Sequence, residues 1–201
     1  MKLLVKRLFD IFFSVLGLLL LLPVFLVIAI VIKTESQGTV FYRQVRVGRN
    51  HKNFRVFKFR TMNMNSDATL NITIGNSDKR ITGFGRWLRR YKIDELPQLL
   101  NVLKGDMSLV GPRPEVPKYV ALYNSEQLKV LTVRPGITDY ASIKFRNENE
   151  LLAQVSNPEE YYIREVMPAK LELNLFYVKN QSLILDIKLL IMTVIFIFVR
   201  S

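Results

Sequence analysis

The chain has 201 residues, 49% of them hydrophobic and 23% charged, with a formal net charge of +12. That is enough for one cored domain plus a membrane element, too short for two full domains and too apolar for disorder. With no cysteine and a single histidine, His51, there is no material for disulfides, thiolate chemistry, Cys- or His-ligated metal sites or a Ser-His-Asp triad, so any catalysis has to run on carboxylates, a hard metal ion, or both.

The charge is unevenly placed. Residues 1–62 hold 11 Lys/Arg against Asp10 and Glu35, a net +9 of the +12. Such an excess suits nucleic acid or an anionic membrane surface, and beside an apolar segment the membrane is the better partner. From Ile11 to Ile32 no charge appears, and about 20 such residues cross a hydrocarbon core of roughly 30 Å. A cleaved signal peptide is set aside, because the stretch is long and KTESQGTVF offers no small-x-small site. Pro23 lies near the middle and lacks the N–H of a straight helix, which predicts a break there. Lys2, Lys6 and Arg7 precede the segment while Lys33, Arg43, Arg46 and Arg49 follow it, so the positive-inside rule gives a single span no orientation. A helix that enters, breaks at Pro23 and returns keeps both flanks on the cytoplasmic side. The expected organisation is a re-entrant helix-break-helix over 1–36 and a cytoplasmic-face domain with interfacial helices over 37–201.

Residues 39–47 and 53–62 are rich in β-branched and aromatic types around Gly48-Arg49-Asn50-His51, which predicts a β-hairpin. Residues 63–82 are polar and aperiodic and read as a loop able to close over a site. A helix is predicted over Phe84 to Tyr91 and another over Glu95 to Leu103, with Asp94 as its cap and Pro97 in its first turn. Helical patterns return near 115–131 and 158–179, the latter interrupted by Pro168. Leu189 to Val199, only 11 residues, is too short to cross and is expected to pack on the domain or lie at the lipid interface. The fold class is α+β, helix-dominated, with a small β-hairpin.

The chemistry concentrates in DELPQLLNVLKGDMSLVGPRP (94–114). Asp94 and Glu95 follow Arg86, Arg89, Arg90 and Lys92. A carboxylate at a helix N-terminus among cations is favoured as the anion and serves either as a nucleophile toward phosphorus or as a ligand for Mg²⁺. In the alternative reading Asp94 only caps the helix and Glu95 pairs with a neighbouring arginine. Arg113, held between Pro112 and Pro114, suits bidentate phosphate recognition or a rigid, solvated turn. Asp106, behind Gly105, reads as a turn residue, and Arg134 and Arg146 also stand beside backbone-special residues.

Taken together, KRLFD (6–10), the proline-broken apolar helix, FYRQVRVGR (41–49), FKFRTM (57–62), DELPQLLNVLKGDMSLVGPRP and RPGIT (134–138) resemble the bacterial sugar transferases called small monotopic phosphoglycosyl transferases. The resemblance covers nearly the whole chain. It implies transfer of a phosphosugar from a nucleotide diphosphate-sugar, such as a UDP-sugar, to polyprenyl (undecaprenyl) phosphate at the bacterial inner membrane, initiating glycan assembly. It also implies a re-entrant helix, Mg²⁺ dependence and a covalent aspartyl-phosphosugar intermediate. Asp94 would then be the nucleophile, Glu95 its partner in metal binding or proton handling, and Arg89 and Arg113 donor-phosphate ligands. Lys58 and Arg60 in FKFRTM, Arg134 in RPGIT and Arg146 beside Asn147 join the candidate phosphate-binding set. Two departures stand out: Leu22 precedes Pro23 where many members have serine, and DYASIKFRN (139–147) replaces GWAQVNGRN. Outside this family, a glycosyltransferase releasing nucleoside diphosphate and a non-catalytic membrane scaffold remain as alternatives.

Overall fold

The computed structural model describes residues 2–63 and 78–198. The apolar N-terminus forms α1 (Lys2–Glu35), about 51 Å long at 1.5 Å per residue, and by length and composition it is able to cross a membrane. Where the sequence predicts a break, the helix runs on through Pro23 as one element. A proline removes one N–H and crowds one turn, and apolar helices absorb that locally. A re-entrant path therefore has to be a bend within one helix.

One stripe of α1 packs on the rest of the protein. Asp10, Ser14, Ile28 and Ile32 are buried on it, and Phe9, Leu18, Leu21 and Phe25 pack into the adjoining cores. The spacing of three and four residues is that of one helical face. Both ends are tied down. Arg7 donates to the carbonyls of Val102 (2.8 Å) and Leu103 (3.2 Å), while at the other end Glu35 Oε1 accepts from the backbone N of Phe84 at 2.9 Å. The opposite face, with Leu4, Leu8, Phe12, Leu19, Leu26 and Ile30, is exposed.

The predicted hairpin is present as β1 (Phe41–Val47) and β2 (Asn53–Phe59), antiparallel with Phe41 opposite Phe59 and Val47 opposite Asn53. The expected loop over 63–82 lies for residues 64–77 outside the described residues. Helix α2 (Gly83–Arg90) is capped by the Thr82 side chain, which accepts from Gly85 N. A 3₁₀ turn over Ile93–Gln98 then runs into α3 (Leu99–Lys104), so the second predicted helix starts as a tighter coil. Two short strands, β3 (Ser108–Val110) and, beyond α4 (Pro117–Val120), β4 (Gly136–Thr138), pair in parallel. Helices α5 (Tyr140–Lys144), α6 (Glu148–Ala153), α7 (Pro158–Tyr161), α8 (Met167–Asn180) and α9 (Leu183–Phe198) complete the chain. Pro168 does not split 158–180: a π turn over Tyr162–Val166 precedes it and leaves it in the first turn of α8, where a missing N–H is tolerated.

The first and last helices meet through a buried polar knot. Lys6 Nζ donates to Asp186 Oδ2 (2.6 Å) and to Val110 O (3.1 Å), and the Tyr177 hydroxyl donates to Asp186 Oδ1 (2.6 Å). An ion pair tolerates burial only when such extra hydrogen bonds complete it. With Asp186 and Leu189 turned inward, α9 leaves Ile184, Ile187, Ile191, Val194 and Ile195 exposed. Its 16 residues are too few to cross, as expected for 189–199.

Candidate active site

The site is assembled from β2, the 3₁₀ turn and the loop after β3. Lys92 adopts a left-handed conformation (φ 57°), costing a non-glycine residue roughly 1 kcal/mol. It turns the chain out of α2 so that Asp94 and Glu95 both point inward and are buried. Asp94 is thus inside the first turn, with Lys92 in the capping position, and the expected capping role is absent.

The two carboxylates have different surroundings. Glu95 Oε1 accepts from Lys58 Nζ at 2.7 Å and from an Arg113 nitrogen at 2.5 Å, while its Oε2 accepts from the other Arg113 nitrogen at 3.0 Å. Burial works to raise the Glu95 carboxyl, but the charges of Arg113 and Lys58 and the Arg113 hydrogen bonds outweigh it and hold it well below its ordinary value. In return Glu95 pushes the Arg113 guanidinium upward. Lys58 is pulled down by burial, against the opposing charge of Glu95. Asp94 Oδ1 is buried and, among the described residues, has no hydrogen-bond partner. Burial first, and then the charge of Glu95, raises the Asp94 carboxyl above its ordinary value, while Lys58, Lys92 and Arg89 pull it back. One carboxylate is saturated and the other has an open oxygen.

Arg113 is presented by a tight crossing. A Cβ on Gly136 would lie 2.1 Å from Gly111 N, and one on Gly111 would lie 2.4 Å from Arg134 O, so only glycine lets the two backbones pass. Gly111 N donates to Thr138 O and Gly136 N to Pro112 O. Arg113 N donates to Asp139 Oδ2 at 3.2 Å. A small cleft lies between Arg46, Val56, Lys58, Gln98, Arg113 and Pro114. Arg89 approaches from α2. Its Nε donates to Thr61 Oγ1 at 2.8 Å, and its guanidinium, lowered by burial, is opposed by the charge of Asp94.

Of the predicted set, Asp94, Glu95, Lys58, Arg89 and Arg113 come together. Three arginines sit elsewhere. Arg60 closes the C-terminal end of α1, donating to the carbonyls of Gln37 (2.7 Å), Ser36 (2.7 Å) and Ile32 (3.3 Å). Arg134 Nε donates to Gly105 O, just past α3, and Arg146 lies 5.1 Å over the Phe196 ring. Asp106 lies near Asn101 Nδ2, in the turn after α3. Thr61 and Asp139 are additions. Thr61 lies inside the quoted FKFRTM motif, and Asp139 had a signal in its place at the start of a helix, just after RPGIT.

For a metal ion, the described residues hold no group of three or more His, Cys, Asp or Glu. Mg²⁺ needs no such cage, since it takes one or two carboxylates and completes its shell with substrate phosphates and water. The open Asp94 oxygen fits that role. Glu95, expected as a second ligand, has both oxygens engaged by cations.

The family model described as bacterial sugar transferase matches residues 1–200. Among curated relatives, the uncharacterized sugar transferase EpsL of Bacillus subtilis (strain 168) is 40% identical over 189 residues, covering 94% of this chain and 85% of that protein. An undecaprenyl-phosphate glucose phosphotransferase of Komagataeibacter xylinus is 40% identical over 196 residues, and a UDP-glucose:undecaprenyl-phosphate glucose-1-phosphate transferase of Klebsiella pneumoniae is 40% identical over 200. Each of these two aligns with 94% of this chain, which spans only 35% and 39% of their lengths.

Proposed function

The chain belongs to the bacterial sugar transferase family, and on that premise we propose that it transfers a phosphosugar from a nucleotide diphosphate-sugar to polyprenyl phosphate, releasing nucleoside monophosphate. The observation that carries this reading is the buried Asp94 with an open oxygen beside a cleft bearing Lys58 and Arg113. Phosphoryl transfer needs neutralised charge and in-line placement rather than elaborate proton handling.

In the proposed first step a carboxylate oxygen of Asp94 attacks the sugar-linked phosphorus. An O–P bond forms, the bond from that phosphorus to the bridging oxygen breaks, and its electron pair leaves with the nucleoside monophosphate. In the second step an oxygen of the lipid phosphate attacks the same phosphorus. A new diphosphate forms and the Asp94 carboxylate is released. Arg113 and Lys58, held by Glu95, bind the donor phosphates, and Arg89 adds positive charge beside Asp94. Asp94 would hold a Mg²⁺ ion, which would supply further neutralisation of the donor diphosphate. Supplied with a panel of nucleotide sugars, Mg²⁺ and polyprenyl phosphate, the purified protein is expected to release nucleoside monophosphate. Release of nucleoside diphosphate instead would identify a plain glycosyl transfer and overturn this chemistry.

The same reading places the protein on one face of the membrane. Arg7 near one end of α1 and Glu35 at the other hold the same body. A straight crossing would draw that body into the lipid, whereas a helix seated in one leaflet keeps the nucleotide-sugar site in water on the cytoplasmic side and gives lipid the exposed faces of α1 and α9. Single cysteines introduced at residues 3 and 36 are expected to label from the same side in oriented vesicles. Labelling from opposite sides would restore a single span.

A further inference from the structure

We propose that Asp139 is a positioning residue for this reaction: it holds the main chain of Arg113 so that the guanidinium fork meets Glu95 and the donor phosphates. The inference rests on the reading of Arg113 as a donor-phosphate ligand.

Asp139 is fully buried, between the end of β4 and the start of α5. Its two oxygens do separate work. Oδ1 accepts from Ser142 N at 2.8 Å, a helix cap. Oδ2 accepts from Arg113 N at 3.2 Å. A cap needs only one oxygen, and serine would supply it. The second contact is of a different kind, because Pro112 and Pro114 carry no N–H. Arg113 therefore has the only amide donor in that three-residue stretch. Gly136 N fixes the chain one residue earlier, through Pro112 O. Beyond that point the Asp139 carboxylate decides where the Arg113 side chain departs. No ion pair to the Asp139 side chain is formed among the described residues, so the backbone N–H groups are what reconcile its charge with burial. Its negative charge also favours the Arg113 cation. A misplacement of about 1 Å at a phosphate clamp costs on the order of a hundredfold in rate.

The test compares Asp139→Ser, which keeps a capping oxygen but is too short to serve Arg113, with Asp139→Asn, which keeps the side-chain volume but has one oxygen for two N–H groups. Donor KM, acceptor KM and the thermal midpoint are measured for both, alone and in an Arg113→Ala background. The expected result for Asp139→Ser is a thermal midpoint close to that of the parent protein, a donor KM raised about tenfold and an unchanged acceptor KM, with Asp139→Asn in between. In Arg113→Ala protein neither change adds further loss, because the element being positioned is already gone. Parent-like donor KM in both variants, or an undiminished effect in the Arg113→Ala background, overturns the proposal. If Arg113→Ala itself leaves donor KM and turnover unchanged, the donor-phosphate reading of the site fails as well.

Discussion

Asp94→Asn is expected to lose turnover by roughly 10³-fold or more, the scale on which attacking residues act, while the fold is kept or strengthened. The asparagine has the same shape, and among the described residues Oδ1 has no hydrogen bond to lose. The carboxyl is raised above its ordinary value by burial and by Glu95, so its ionisation opposes folding at neutral pH, a penalty that disappears only in acid, below the unfolded value, where the group is protonated in both states. Replacing it with a neutral amide removes that penalty. The Lys58–Glu95–Arg113 array makes no hydrogen bond to Asp94 and stays in place. Steady-state kinetics and thermal unfolding of the same preparation check this. Substantial turnover in Asp94→Asn, or loss of activity only because the protein unfolds, would remove Asp94 from the chemistry.

Removal of divalent metal is expected to bring turnover to background, with Mg²⁺ restoring it. The reason is local charge. A donor diphosphate placed against Asp94 sets several negative charges around one buried oxygen, and Lys58 and Arg113 are already partly compensated by Glu95. A hard cation held by Asp94 would supply the rest. The two carboxylates should then differ. Asp94→Asn loses Mg²⁺ binding in the presence of donor, whereas Glu95→Gln retains it and instead loosens the arginine and lysine it holds. EDTA titration with metal content verified, followed by Mg²⁺ binding to both variants, tests the assignment. Full turnover with metal shown to be absent would contradict it.

Much of this arrangement was legible in the sequence, for identifiable reasons. The hairpin followed from dense β-branched and aromatic residues around Gly48-Arg49-Asn50-His51, and α2 appeared within a residue of its expected start. Asp94 and Glu95 stood out as adjacent acids behind a cationic stretch. Their division of labour did not, because the partners that saturate Glu95 come from residues 37 and 18 positions away. The pairing of β3 with β4 was also invisible. Each strand has three residues, too few for alternation to show, and the partners are joined across a long connection. Arg60, Arg134 and Arg146 stand apart from that cluster. Motif position for the first two, and the neighbouring Asn147 for the third, suggested phosphate ligands, whereas the fold turns each toward a carbonyl or a ring. For Pro23, a residue-level rule about proline met a helix apolar enough to continue through it.

In the proposed mechanism Asp94 carries the phosphosugar between donor and lipid. Its most direct test is intact-protein mass spectrometry after incubation with nucleotide sugar and Mg²⁺ in the absence of lipid acceptor, with peptide mapping of any adduct. The expected result is a mass increase of one phosphosugar on Asp94, accompanied by exchange of labelled nucleoside monophosphate into the donor, both absent in Asp94→Asn. Unmodified protein, no exchange and sequential rather than ping-pong kinetics would mean that the lipid phosphate attacks the donor directly and that Asp94 is only a metal ligand.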